Sequence, residues 1–124
     1  MKRNFDLIRK LLLEIESKDD GSGRLPELEF ADNDYETIEH LLLMQEAGLI
    51  DAQDASTLGG RNLLVRRLTW QGHDFLGSVR DNAVWKKTKE GLNKVGSFTF
   101  DAVLGLAKAY VKEQLAQHTG ISLP

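Results

Sequence analysis

The sequence contains no cysteine among its 124 residues. Disulfides, zinc–thiolate sites and thiol nucleophiles are therefore excluded, and the absence fits a reducing compartment. Long apolar runs are also missing, because the apolar stretch at 102–107 is far shorter than a membrane span. At the N-terminus, Arg9, Lys10 and Glu14 interrupt the uncharged run that a signal peptide needs. We therefore expect a cytoplasmic protein with no membrane segment.

Basic residues are absent from 32–54, a segment that carries seven acidic side chains. The following segment, 55–94, reverses this balance, with eight basic residues against three acidic ones. Such a charge split is typical of solvated faces of opposite sign and says little about the fold. The overall composition, 41% hydrophobic and 28% charged, is that of an ordinary globular protein.

Apolar residues in the first half follow two different periods. Phe5, Ile8, Leu12 and Ile15 recur every three or four residues and predict an amphipathic helix over about 4–16. The alternation at 27–30 predicts a short strand. A second helix, about 33–47, is predicted to be capped by Asp32 or Asn33 and to stop at Gly48.

The second half is predicted to begin with a hairpin, whose strands are 49–52 and 63–68 around a glycine-containing connection. Thr69 is placed to cap the next helix, and further helices are predicted around 84–92 and over 99–117. The predicted fold class is α+β and mostly helical: a winged-helix-like domain with a β-hairpin wing and additional C-terminal helices. Residues 1–81 would form the core, and residues 82–124 a helical extension packing on that core or on a second subunit.

Several segments also resemble one protein family. They are 1–12, 40–50, the Arg-Leu-Thr-Trp-Gln-Gly-His run that starts at Arg67, and Val84-Trp85 followed by Lys87-Thr88-Lys89. Together they resemble the bacterial and phage family catalogued as domain of unknown function 2513, over nearly the whole chain. The resemblance implies a winged-helix-like fold and a home in prophages and mobile elements, and it brings no catalytic residues.

The histidines do not form a recognisable catalytic or metal-binding pattern. His40, His73 and His118 fall on different predicted elements, whereas a metal site needs two or three converging ligands. His73 is predicted to be a core or cap residue with one ring nitrogen satisfied. The sequence shows no Ser–His–Asp order of the kind found in hydrolases, and no glycine-rich loop that would bind a phosphate. We expect no enzyme activity, no metal and no cofactor.

The predicted helix 33–47 occupies the position of the DNA-recognition helix in a winged helix, and its charge argues against DNA binding. It carries only acidic charges, which phosphate would repel, and no helix is predicted directly before it. We interpret these carboxylates as an acidic face for a protein partner: Asp34, Glu36, Glu39 and Glu46. The alternative is a DNA-binding regulator using a basic wing and the lysine-rich helix that follows, with candidate contacts Arg61, Arg66, Arg67, Lys86, Lys87 and Lys89.

The last predicted helix has more apolar residues than one buried stripe requires. An uncovered excess would be an exposed apolar patch, so the helix either packs wholly on its own domain or pairs with a second copy. We favour a homodimer, with the candidate face Phe100, Leu104, Ala107, Val111 and Leu115. The leading hypothesis is thus a non-enzymatic module acting by self-association, by binding a host or phage protein, or by both.

Overall fold

The computed structural model describes residues 1–19, 28–31 and 35–119. Within these residues, five helices and three strands follow one another in the order α1 (Phe5–Lys18), β1 (Leu28–Ala31), α2 (Tyr35–Glu46), β2 (Ile50–Asp54), β3 (Asn62–Leu68), α3 (Trp70–Val79), α4 (Asn82–Val95) and α5 (Phe100–Thr119). The predicted α+β, mostly helical class is confirmed. The chain divides into two compact units, 1–76 and 77–124, whereas the sequence placed the division after residue 81.

Helix α1 forms where the apolar periodicity predicted it. Asn4 caps its N-terminus, because its side-chain oxygen accepts a hydrogen bond from the Leu7 amide at 3.2 Å. Asp6 in the first turn and Lys18 in the last turn match the helix dipole. The side chains buried along its apolar stripe are Phe5, Ile8, Leu11, Leu12 and Ile15.

The three strands form one antiparallel sheet in the order β1-β3-β2. Leu28 lies opposite Val65 in the first pair, and Ile50 lies opposite Leu68 in the second. The β2–β3 pair is the predicted hairpin, with a register shift between Asp51 and Ala52. Along β3, Leu63, Val65 and Leu68 are buried. At the far end of the hairpin, a bridge between Thr57 and Gly60 closes the tip.

Helix α2 buries Ile38, Leu41 and Met44 and ends before Gly48, as predicted. Gly48 adopts a φ of 75°, a left-handed conformation that glycine enters without a steric penalty. The proposed caps Asp32 and Asn33, and the acidic candidate Asp34, lie outside the described residues.

Thr69 caps α3, as predicted, and also fastens it to the turn after α2. The Thr69 hydroxyl accepts a hydrogen bond from the Gly72 amide at 3.1 Å and donates one to the Gly48 carbonyl. Its backbone amide donates to the Leu49 carbonyl at 3.0 Å. The start of α3 is therefore held in place by backbone and side-chain bonds together.

Helices α4 and α5 pack against each other in the unit 77–124. Asp81 caps α4 by accepting from the Val84 amide at 3.0 Å, and Gly96, with a φ of 74°, ends it. A side chain at Gly91 would meet Leu106 at 2.7 Å, so a glycine lets the two helices approach closely. None of the described helices is long and apolar enough to cross a membrane.

Candidate functional site

The acidic candidates on α2 lie in different environments. Glu36, near the start of the helix, and Glu46, its last residue, are exposed to solvent. Glu39 is half-buried and forms an ion pair with the Arg61 guanidinium, which comes from the end of the hairpin loop. The described part of α2 carries no basic residue. This helix therefore presents negative charge at both of its ends.

Arg61 connects the hairpin to the acidic helix. Besides pairing with Glu39, its guanidinium lies 5.6 Å from the ring centroid of Tyr35, in the range of a cation–π contact. In the DNA-binding alternative, Arg61 was predicted to contact phosphate at the wing tip. The structure places its charge on a carboxylate of α2, where it is already engaged.

The other two arginines of the hairpin are neighbours on β3, between the buried Val65 and Leu68, where the register of the β2–β3 pair shifts. Arg66 donates to the Gln53 side-chain oxygen on β2 at 3.3 Å. Arg67 is exposed and lies opposite Asp51 in the strand register. The three candidate arginines thus lie in three different local environments.

The tip of the hairpin is organised by polar contacts within the loop. The Asp54 carboxylate accepts hydrogen bonds from the Ser56 hydroxyl at 2.6 Å and the Ser56 amide at 2.9 Å. These two bonds, the hydroxyl first, lower the pKa of Asp54. Leu58 is fully exposed at this tip. The hairpin therefore has an ordered end with an apolar side chain on it.

The lysines of α4 occupy its solvent side. Lys86, Lys87 and Lys94 are exposed, whereas Lys89 is half-buried, with its ammonium 5.7 Å from the Trp85 ring centroid. The Lys87 ammonium lies 6.0 Å from the ring of Tyr110 on α5. Within the unit 77–124, seven basic residues outnumber four acidic ones. The unit 1–76 has the opposite balance, with nine basic residues and fifteen acidic ones.

The apolar face of α5 is turned relative to the stripe that the sequence suggested. The fully buried residues are Val103 and Ala107, and Val103 is not on the suggested stripe. Of the other stripe members, Phe100, Leu104 and Val111 are half-buried, and Leu115 is 42% exposed. Apolar surface therefore remains accessible along one side of α5.

A groove that was not predicted from the sequence lies at the opposite end of the hairpin from the tip. It has a volume of about 590 Å³, and we call it the Trp70 groove; it is lined by Asp19, Ile50, Asp51, Arg67, Leu68, Thr69, Trp70 and His73. Trp70 is 81% exposed, an unusual state for so large an apolar side chain. Its sequence signal was the Arg-Leu-Thr-Trp run, which the sequence analysis used for the family resemblance and not for a site.

The histidines on α2 and α3 lie in opposite environments. The prediction of His73 as a core or cap residue is wrong, because its side chain is 54% exposed and lies 3.9 Å from the Glu16 carboxylate. His40 is completely buried; its Nε2 accepts from the Asn4 amide at 2.8 Å, and its Nδ1 bonds the Glu36 carbonyl at 2.7 Å. No metal-binding group of three His, Asp or Glu occurs within residues 1–19, 28–31 and 35–119.

Comparison with known proteins adds a family and a relative. The family model described as "Hypothetical protein (DUF2513)" matches residues 2–99. A protein from Haemophilus influenzae, described as "Uncharacterized protein", is 41% identical over 118 residues, which cover 94% of this chain and all of that protein. No solved structure matches the chain.

Proposed function

The chain belongs to the family described as Hypothetical protein (DUF2513), and from the charge and apolar surface of its described residues we propose a non-enzymatic protein-binding module. It binds a second copy of itself through α5 and a cationic polypeptide through the acidic side of the unit 1–76. The family resemblance would place such a partner in a phage, prophage or host complex.

We further propose that the unit 1–76 is a variant winged helix. Supporting this are the element order α1-β1-α2-β2-β3 and the sheet order β1-β3-β2. Among the described residues, a single helix stands between β1 and β2. A helix-turn-helix reader needs a helix immediately before its recognition helix. The scaffold would therefore keep the wing while lacking part of the usual DNA-reading unit.

The ion pair between Arg61 and Glu39 is the observation that carries the proposal. A DNA-binding wing directs its cations toward phosphate, but here the arginine neutralises a carboxylate of the helix beside it. The remaining exposed carboxylates of α2, Glu36 and Glu46, leave this side negative. A negative surface of this kind attracts a positively charged partner and repels nucleic acid.

Self-association through α5 predicts that the 13.9 kDa chain sediments as a dimer. Leu115→Glu is expected to shift the chain to monomer at micromolar concentration, because a carboxylate would be buried in an apolar interface. Sedimentation velocity of the full-length variant measures this. Ala109→Glu is the matched control, since residue 109 is also exposed on α5 but lies about 120° away around the helix. A wild-type monomer, or equal behaviour of the two variants, would contradict the dimer proposal.

The exposed lysines of α4 favour a second candidate function, binding of duplex DNA. Lys86, Lys87 and Lys94 share the solvent side of α4 in a unit with a positive balance of charge. Such a surface would contact phosphates without reading bases, and its affinity would depend strongly on salt.

The protein-binding proposal predicts no mobility shift with mixed-sequence duplex DNA at about 50 mM salt, where phosphate contacts are strongest. If a shift occurs, Lys86→Gln with Lys87→Gln should weaken it and reduce the salt dependence by about two counterions. Lys2→Gln with Lys10→Gln removes the same charge from exposed positions of the other unit and serves as control. A shift that only the α4 pair abolishes would establish the second candidate in place of the first.

A further inference from the structure

Trp70 is exposed on a rigid segment. The residue before it, Thr69, is bonded to both Gly48 and Leu49, and Gly72 packs directly on the Leu49 carbonyl. The indole therefore stands on the first turn of a helix whose backbone is fixed on the α2–β2 turn. An exposed aromatic side chain on a fixed backbone loses little conformational entropy when it binds a ligand.

The two tryptophans of the chain differ in one further respect. Trp85 is buried and has the Lys89 ammonium over its ring at 5.7 Å. In the described part of the chain, three other aromatic rings also have a cation nearby: Phe5, Tyr35 and Tyr110. None of the described cations lies over the indole of Trp70. Among the described aromatic side chains, Trp70 is the most exposed, so its ring is accessible to a cation from a partner.

The charges and the floor of the Trp70 groove complement a cationic side chain. Two carboxylates, those of Asp19 and Asp51, line the groove together with one arginine, Arg67. Arg67 lies opposite Asp51 in the strand register. Ile50 and Leu68 supply apolar surface at its base. The surrounding unit has six more acidic than basic residues. A phosphate would meet repulsion here, whereas a cation with an aliphatic stem would be attracted.

We propose that the Trp70 groove receives an arginine or lysine side chain of the partner polypeptide. The cationic group stacks on the indole face and is drawn there by Asp19 and Asp51, while its aliphatic stem packs on Ile50 and Leu68. This assignment rests on the proposed protein-binding function and identifies the specific anchor for its cationic partner. Cation–π pairs strengthen when the groups are desolvated, as in a groove of this kind.

The test uses the full chain and three capped peptides: Gly-Arg-Gly-Arg-Gly, its neutral and nearly isosteric citrulline analogue, and its negatively charged glutamate analogue. Binding is followed at low salt through the fluorescence anisotropy of a dye attached to each peptide, a readout that variants of Trp70 retain. We expect the arginine peptide to bind and the other two to bind at least about 5-fold more weakly. Trp70→Ala should weaken arginine-peptide binding about 5- to 30-fold, and Trp70→Phe less.

Two variants separate the anchor from the general acidic surface. Leu58→Ala removes another exposed apolar side chain, at the tip of the hairpin, and should leave binding unchanged. Glu36→Gln with Glu46→Gln reduces the charge of α2 without touching the groove, and should weaken binding less than Trp70→Ala does. Peptide binding that the glutamine pair abolishes and Trp70→Ala does not would overturn the anchor while preserving the proposed function.

Three other outcomes would contradict the binding of a cationic side chain in the Trp70 groove. Equal binding of the glutamate or citrulline peptide would refute cation recognition. A single-stranded oligothymidylate that binds more tightly than the arginine peptide, and is lost in Trp70→Ala, would assign the groove to nucleic acid bases instead. If none of the probes binds while sedimentation still shows a dimer, the groove proposal fails and self-association through α5 stands.

Discussion

Gly72→Ala is expected to lower the free energy of unfolding by about 3 kcal/mol or more, the largest effect expected of an alanine at any of the described glycines. A Cβ at this position would lie 3.0 Å from the Leu49 carbonyl carbon and closer still to its oxygen. Both atoms belong to the backbone of the turn that also accepts the Thr69 amide. They cannot move away as a flexible side chain would, so α3 would have to lift off the turn. Urea denaturation followed by circular dichroism measures the change.

Gly77→Ala in the same helix provides the matched comparison. A Cβ there meets no atom within 4 Å, and its backbone is helical. Alanine is the better helix former, so this substitution should raise the free energy of unfolding by about 0.5–1 kcal/mol. Opposite signs for the same chemical change would locate the effect in the close approach at Gly72. Similar values for the two variants would show that α3 can shift without cost.

The helices and strands could be predicted because each is specified locally. The spacing of Phe5, Ile8, Leu12 and Ile15 requires only that one helical face be buried, and α1 formed as expected. Gly48 ends α2 through its own left-handed backbone conformation, and Thr69 caps α3 through a hydrogen bond between its hydroxyl and an amide three residues later. Both interactions are local in the sequence. Their roles as a helix stop and a helix cap are therefore confirmed.

The candidate site was harder to predict because its features depend on residues far apart in the sequence. Arg61 meets Glu39 only after the hairpin has folded beside α2, and no local pattern indicates which carboxylate it will find. The buried face of α5 was ambiguous for a different reason. Its apolar residues cover more than one stripe, so only the packing against α4 selects Val103 and Ala107.

The Trp70 groove was not predicted, because no local sequence pattern determines whether the Trp70 side chain is exposed. The position of Trp70 after a capping threonine predicts a helix start, but propensity alone does not say whether its side chain is buried. Large aromatic residues are mostly buried, so an interior position is the default expectation. The exposure of Trp70 follows from the fixed orientation of α3, which the tertiary contacts of Thr69 and Gly72 determine.

His40 is the second residue whose replacement should have a large effect, because it joins two elements inside the core. Its Nε2 accepts a hydrogen bond from the Asn4 amide, so the ring proton must lie on Nδ1, which donates to the Glu36 carbonyl. The ring is therefore neutral and fully satisfied although no part of it reaches solvent. Through it, the start of α1 is tied to the first turns of α2.

His40→Ala should lower the free energy of unfolding by about 2–4 kcal/mol, because it opens a cavity and leaves the Asn4 amide without its acceptor. His40→Gln should recover part of this loss, since an amide side chain can accept from Asn4 and donate to Glu36. Urea denaturation of both variants measures the difference. His118→Ala, at an exposed position of α5, should stay within about 0.5 kcal/mol of the wild type. A His40→Ala protein as stable as the His118→Ala protein would mean that the α1–α2 junction holds without this histidine.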